Sequence, residues 1–233
     1  MTEKLTIAKG DNASLGNSWK IYKAHFLTFL IIFGLSFLVG FINSIMDFTT
    51  AFFINLLGYD AYYEDTSVVA QLISQVAVWL NPITRFFSEL IFFLYFLVPI
   101  LYFNSKEVIT PGKLFKAIFK KPGRYLLGGF LFGVLSYFGT LFCLIPGILI
   151  GYTYPIYLNK IATTENPVFS SLRISFQNVY KSKSLFAYVG LFTLFFVISN
   201  VLTALTCNIG GIILFPLFAI FIQHLAFNKG ISK

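Results

Sequence analysis

Acidic residues are scarce in this sequence: nine Asp and Glu are scattered over 233 residues, against seventeen Lys and Arg. Two histidines and two cysteines are the only other strong metal ligands. A phosphodiesterase or metallohydrolase draws its chemistry from clustered His, Glu and Asp, and no such cluster can be assembled here. His25 and His224 have no carboxylate or thiolate neighbour in sequence, which is a poor metal site; they read as histidines near a membrane interface. Charge of either sign is low as well, at 11% of residues, where a soluble domain carries roughly 25%. A water-facing globular surface is thereby excluded. The alternation of apolar and polar residues that marks a barrel strand is missing. So is a cleavable leader, because the first 25 residues are polar and basic and no small-residue cleavage site follows the first apolar run. Nothing points to catalysis, a cofactor or a nucleic-acid partner.

What the sequence has instead is apolar length. Hydrophobic residues make up 57% of the chain and the mean hydropathy is +0.80. A helical span takes about 20 such residues to cross roughly 30 Å of hydrocarbon, and only helices or closed barrels satisfy the backbone there. The pattern predicts an all-α polytopic membrane protein of six transmembrane helices, near residues 26–46, 83–103, 125–145, 148–161, 185–206 and 212–228. Residues 1–25 form an N-terminal segment and 26–233 the membrane domain. The run from Val68 to Phe103 would be about 54 Å long as one helix, so it divides at Asn81-Pro82. Its first part carries a polar stripe at Gln71, Ser74 and Gln75 and reads as an interfacial helix. Pro146-Gly147 is expected to break the chain between the third and fourth spans.

Three basic amphipathic stretches precede outward spans. In the first, Leu15, Trp19, Tyr22 and Phe26 share a helical face, with Lys20 and Lys23 opposite. In the second, Thr110-Pro111 is a cap-and-proline start; Leu114, Phe115, Ile118 and Phe119 form one face and Lys113, Lys116, Lys120 and Lys121 the other, up to the stop at Pro122-Gly123. In the third, Asn166-Pro167 repeats that start, and Val168, Phe169, Leu172, Phe176, Val179 and Tyr180 form the apolar face.

Orientation follows from the basic residues. The N-terminal segment holds four, the segment after the second span six, the one after the fourth span four and the tail two, while the opposite loops hold only Arg85. The positive-inside rule then puts both termini in the cytoplasm. The pattern of basic helix, outward span and return span thus occurs three times. Copies one and three align without a gap at an offset of 157: Ser14-Leu15 and Ser18-Trp19 fall on Ser171-Leu172 and Ser175-Phe176, and Asn43 falls on Asn200. Shared composition of membrane hairpins would produce part of this match; an internal repeat would produce all of it.

Pro146-Gly147, the tyrosine-rich helix after it, Glu165-Asn166, Ser171-Leu172-Arg173 with Ser175, and Lys181 with Lys183 together resemble the YciC-like inner-membrane proteins. They are also similar to the membrane domain of some glycerophosphoryl diester phosphodiesterases. The resemblance covers Tyr125 to the end of the chain. It departs from the pattern at Gly151-Tyr152, where relatives carry Arg, and at Ser171, where they carry Ala. It implies an integral membrane protein of the bacterial type and no chemistry.

The expectation drawn from the residues is a non-enzymatic protein of a bacterial-type inner membrane, acting in lipid or envelope homeostasis. Its basic helices would grip anionic lipid through Lys113, Phe115, Lys116, Phe119, Lys120, Lys121, Arg124, Arg173, Lys181 and Lys183. The same charges could instead serve topology alone. The alternative function is a small transporter or permease component, for which Pro155, Pro216 and the Pro146-Gly147 break offer half-helix sites. Arg85 and Glu89 read as a self-neutralising i,i+4 pair or, alternatively, a headgroup site. Asn43, Asn200, Pro146 and Gly147 read as structural. Tyr152, Tyr154 and Tyr157 read as an interfacial belt, with a substrate lining the alternative. Gly129 with Gly133 and Gly147 with Gly151 suit close helix packing. Cys143 and Cys207 read as buried thiols, with a disulfide as the alternative.

Overall fold

The structure, a computed structural model, describes residues 7, 11–56, 87, 90–142, 144–206 and 209–232. It is 85% helix, and no strand occurs among the described residues. The helices are α1 (Leu15–Ala24), α2 (Phe26–Leu56), α3 (Leu90–Ser105), α4 (Pro111–Lys120), α5 (Pro122–Phe142), α6 (Leu144–Thr163), α7 (Val168–Tyr180), α8 (Leu185–Leu205) and α9 (Gly211–Asn228). Three of them are long and apolar enough to cross a membrane: Phe26–Ile45 within α2, and α8 and α9. Arg85, Glu89, Cys143, Cys207 and the stretch Val68 to Leu80 lie outside the described residues.

Local chemistry accounts for the helix limits. Ser14 caps α1, its Oγ accepting the Asn17 N–H at 3.2 Å. Thr110 does the same for α4, accepting from Lys113 N–H at 3.4 Å with Pro111 at the first position, where a missing N–H costs nothing. The expected cap at Asn166 is not formed: Pro167 itself precedes α7, and no side chain closes that end. Gly230, at φ 70°, reverses the chain after α9. Its N–H donates to Phe227 O at 3.1 Å and that of Ile231 to Ala226 O at 3.0 Å, the paired bonds of a glycine-terminated helix.

Pro146-Gly147 does not divide two helices. Both residues lie in the first turn of α6, which starts at Leu144; amides there have no acceptor within the helix, so proline is tolerated. Gly147 acts through packing instead, since a Cβ on Gly139 of α5 would stand 3.1 Å from its Cα. Gly128 likewise faces Tyr157 and Ile161, whereas Gly129, Gly133 and Gly151 have open space where a Cβ would be. The contact glycines of the α5–α6 hairpin are thus Gly128, Gly139 and Gly147.

The chain forms two compact units, Met1–Phe33 with Phe92–Lys233, and Gly34–Ile91. In the smaller unit the rest of α2 exposes Phe37 and Phe48 and stacks phenylalanines one turn apart, Phe37 on Phe41 and Phe48 on Phe52. Asn43 is half-buried there.

The larger unit is centred on α3, α6 and α9. Phe92 and Phe96 of α3 meet Tyr154 of α6 at 5.7 and 5.5 Å; Phe96 meets Phe218 of α9 at 5.9 Å. Each of these helices contains a proline, in Val98-Pro99-Ile100, Tyr154-Pro155-Ile156 and Phe215-Pro216-Leu217. An internal proline removes the bond to the carbonyl four residues back. In α9 that carbonyl belongs to Ile212, and Tyr22 of α1 donates its hydroxyl to it at 3.4 Å. Around Pro155 three hydroxyls serve carbonyls of the preceding turn: Tyr180 bonds Leu149 O at 2.5 Å, Thr153 bonds Ile150 O at 2.7 Å and Tyr188 bonds Tyr152 O at 3.1 Å.

α1 and α7 dock through serines together with Ile21 and Tyr22 on α1 and Val168 and Val179 on α7. Ser18 donates to Ser14 O at 3.0 Å and Ser175 to Ser171 O at 2.6 Å, so the two positions matched by the 157-residue offset make the same local bond. Ser18, Ser171 and Ser175 are fully buried. Small side chains let a helix approach its neighbour closely, and α7 accordingly lies along α6 and α1 along α9. The expected apolar faces are divided: Tyr22, Val168 and Val179 are buried with these serines, whereas Leu15 is 55% and Phe169 65% exposed.

A basic rim and a buried polar layer

The first candidate site is the corner where α4 meets α5. Leu114 anchors α4 to the protein and is buried, whereas Phe119 on the same helix is 73% exposed. Lys116 and Lys120 are exposed beside it, and Phe115 is half-buried. One helix therefore offers one apolar residue to the protein and another to the surroundings.

The other basic residues of this corner are engaged. Lys113 pairs with Glu107 at 2.7 Å, and Lys121 pairs with Glu165. Arg124 donates through Nε to Ile161 O at 2.8 Å and through Nη2 to Lys160 O at 3.5 Å, placing its charge at the C-terminal end of α6, where the helix dipole favours a cation. Both carboxylates are held below the usual Glu range. For Glu107 the cause is the Lys113 hydrogen bond and charge. For Glu165 it is first the Lys121 hydrogen bond and charge, with Arg124 and Lys120 adding to it. Arg173, Lys181 and Lys183, expected at the same rim, are exposed on α7 and in the turn after it.

The second candidate is a buried layer at the far ends of α3 and α9. His25, at the junction of α1 and α2, is 1% exposed. Its Nδ1 lies 2.7 Å from Ile21 O, which assigns the proton to Nδ1 and leaves Nε2 an acceptor with no partner. Burial lowers its pKa, the Ile21 bond opposing this in part. Its ring meets Tyr102 at 5.2 Å, Tyr102 meets Phe103 at 5.2 Å, and Phe103 meets His224 at 4.9 Å. Gln223, next to His224, is fully buried with neither end of its amide bonded. Asn159 of α6 donates to Ser232 O at 3.2 Å and keeps an unpaired Oδ1. The two histidines thus stand at the ends of one ring series inside the protein, and no group of three metal-ligating side chains exists among the described residues.

The tyrosines are also interior. Tyr152, Tyr154 and Tyr157 are at most 9% exposed, so they form no interfacial belt. Tyr152 shares a hydrogen bond with Thr193 at 2.7 Å and Tyr157 donates to Gly128 O at 3.1 Å. Asn200 is exposed and donates to Phe196 O in its own helix. Sequence reasoning missed Gln223, His25 as a core residue and the third proline, Pro99. The aliphatic-or-aromatic residue, proline, aliphatic triplet, repeated three times, was the available signal. No protein family, curated protein or solved structure matches this chain.

Proposed function

We propose that the chain is a non-enzymatic integral membrane protein of a bacterial-type inner membrane that binds anionic lipid along its cytoplasmic rim and serves lipid or envelope homeostasis. In this reading α2, the helix containing α3, α5, α6, α8 and α9 supply six spans in three hairpins, with both termini cytoplasmic. The observation that carries it is Phe119: a phenylalanine 73% exposed on a helix already anchored by Leu114, with Lys116 and Lys120 exposed beside it. An aromatic side chain placed at the acyl boundary lets neighbouring lysines reach phosphates, each contributing about 1 kcal/mol at an anionic surface. Trp19 with Lys20 and Lys23 on α1 offers a second contact of the same kind, half of it held by the Lys23 ammonium 5.6 Å from the Trp19 ring centroid.

The test replaces Phe115 and Phe119 together by Ser. Charge count, and therefore topology, is unchanged, so Lys120 stays accessible from the cytoplasmic side while anionic phospholipid retained per purified chain falls. Equal retention means the lysines set orientation only.

A second reading, a small transporter or permease component, draws on one observation: three helices carry internal prolines, and two of them hold buried polar atoms without a partner, the Gln223 amide on α9 and Asn159 Oδ1 on α6. Proline-interrupted helices with polar interiors are the usual frame of a transport site. Retention of a discrete polar metabolite by the gently purified protein supports this reading over the first.

A further inference from the structure

Three cations of the rim converge on one carboxylate. Lys121 pairs with Glu165 directly, and Lys120 and Arg124 act on the same carboxylate through their charges. Glu165 is 83% exposed at its side chain and stands in the short connection between α6 and α7, so any group arriving from solvent or from a membrane surface can take its place. Arg124 is the fixed member. Two of its five N–H groups are committed to Ile161 O and Lys160 O, which leaves three donors on a guanidinium whose position is already set. An anchored arginine gives up little freedom on meeting a tetrahedral oxyanion. With Glu165 in place the cluster still has an excess of two positive charges.

We propose that Lys120, Lys121 and Arg124 form a phosphate-binding site, and that the Glu165 carboxylate occupies it as an internal competitor for phosphate. The inference rests on the rim reading above and assigns its ligand chemistry and its regulation. Lys116 and Phe119 would provide contact with the membrane, and the three-cation cluster would select the phosphate group. An ordinary salt bridge on an exposed surface is weak, so Glu165 yields readily to a more highly charged anion and excludes weaker ones.

The experiment titrates the full chain, purified in nonionic detergent, with dioctanoyl phosphatidic acid, dioctanoylglycerol and inorganic phosphate, reading apparent affinity by native mass spectrometry. Glu165→Gln is expected to tighten phosphatidic acid about five-fold, the worth of one charge near an anionic surface, and to leave uncharged dioctanoylglycerol unaffected. Lys121→Gln is expected to weaken phosphatidic acid by a similar factor. Glu107→Gln removes the same charge from the Lys113 pair and is expected to do much less. Tightening confined to phosphatidic acid assigns the site to a lipid headgroup; equal tightening of inorganic phosphate assigns it to free phosphate. Unchanged affinity in Glu165→Gln, or an equal gain in Glu107→Gln, overturns the site. If Ser at positions 115 and 119 lowers lipid retention while Glu165→Gln changes nothing, this inference alone falls and the rim reading stands.

Discussion

α8 and α9 are consecutive, similar in length and nearly equal in mean hydropathy at 2.1 and 1.8, yet 11% of one and 61% of the other is buried inside the protein. Apolarity does not separate them, because lipid tails are as apolar as a core and no hydrophobic force drives one helix against another in hydrocarbon. What packs against them does: α9 lies against α1, α6 and α8. α8 carries bulky groups around its circumference, with Leu194, Val197, Val201 and Leu205 among those exposed. α9 carries Ala219, Gln223, His224 and Ala226, all buried, and a proline that opens its backbone to a neighbour.

The strongest way to break this comparison is to truncate equivalent aromatic and aliphatic bulk on both helices. Phe218 of α9 is 2% exposed and touches Phe96, Phe192 and Phe196. Phe218→Ala is expected to destabilise by about 3 kcal/mol, the usual cost of the cavity such a change leaves. Leu194→Ala on α8, at a position 52% exposed, is expected to cost less than about 0.5 kcal/mol. Chemical unfolding in mixed micelles measures both; equal losses would mean that burial in the protein does not govern stability here.

A smaller effect sharpens the comparison. Tyr22→Phe keeps the ring and deletes the donor to Ile212 O, leaving the carbonyl freed by Pro216 without a partner. It is expected to cost about 1 kcal/mol and to lower hydrogen-exchange protection in the first turn of α9, with α8 unchanged. An equal loss of protection in both helices contradicts the assignment.

The smallest effect depends on pH. Burial lowers the folded-state pKa of His25, so between that value and the unfolded value near 6.5 only the unfolded chain binds the proton. Stability is then fully present above about pH 6.5 and falls as the pH drops toward the folded pKa. Thermal unfolding between pH 7.5 and 5 is expected to show that decline, and His25→Gln to flatten it. A decline that persists in the variant excludes His25 as its source. Glu107 and Glu165, with folded values depressed by their lysines, contribute stability present above their ordinary range near 4.5 and lost in stronger acid, beyond this window.

The sequence was most legible where local chemistry decides. Thr110-Pro111 starts α4, and α8 and α9 begin and end within a residue of the apolar runs read from hydropathy. It was less legible where packing decides. The faces of α1 and α7 were read by bulk, which found Tyr22, Val168 and Val179 but not Ser18 and Ser175 beside them, where a hydroxyl bonded to its own helix four residues back is both small and satisfied. The tyrosines of α6 were placed at an interface because tyrosine is common there; inside, the Tyr152 phenol meets the Thr193 hydroxyl and that of Tyr157 the Gly128 carbonyl. Of the rim, the residue types were legible. Which lysines were already paired depended on Glu107 and Glu165, and the Glu165 contact spans 44 residues of sequence.

The contact between Tyr22 and Ile212 joins positions 190 residues apart, so α1 is completed by α9. During synthesis α1 leaves the ribosome long before α9, and its Tyr22 hydroxyl lacks the Ile212 carbonyl until α9 has been made. Long-range closure of this kind is slow. Seating of α1 should therefore wait for α9, and a chain stalled before Ile212 should keep α1 open to protease.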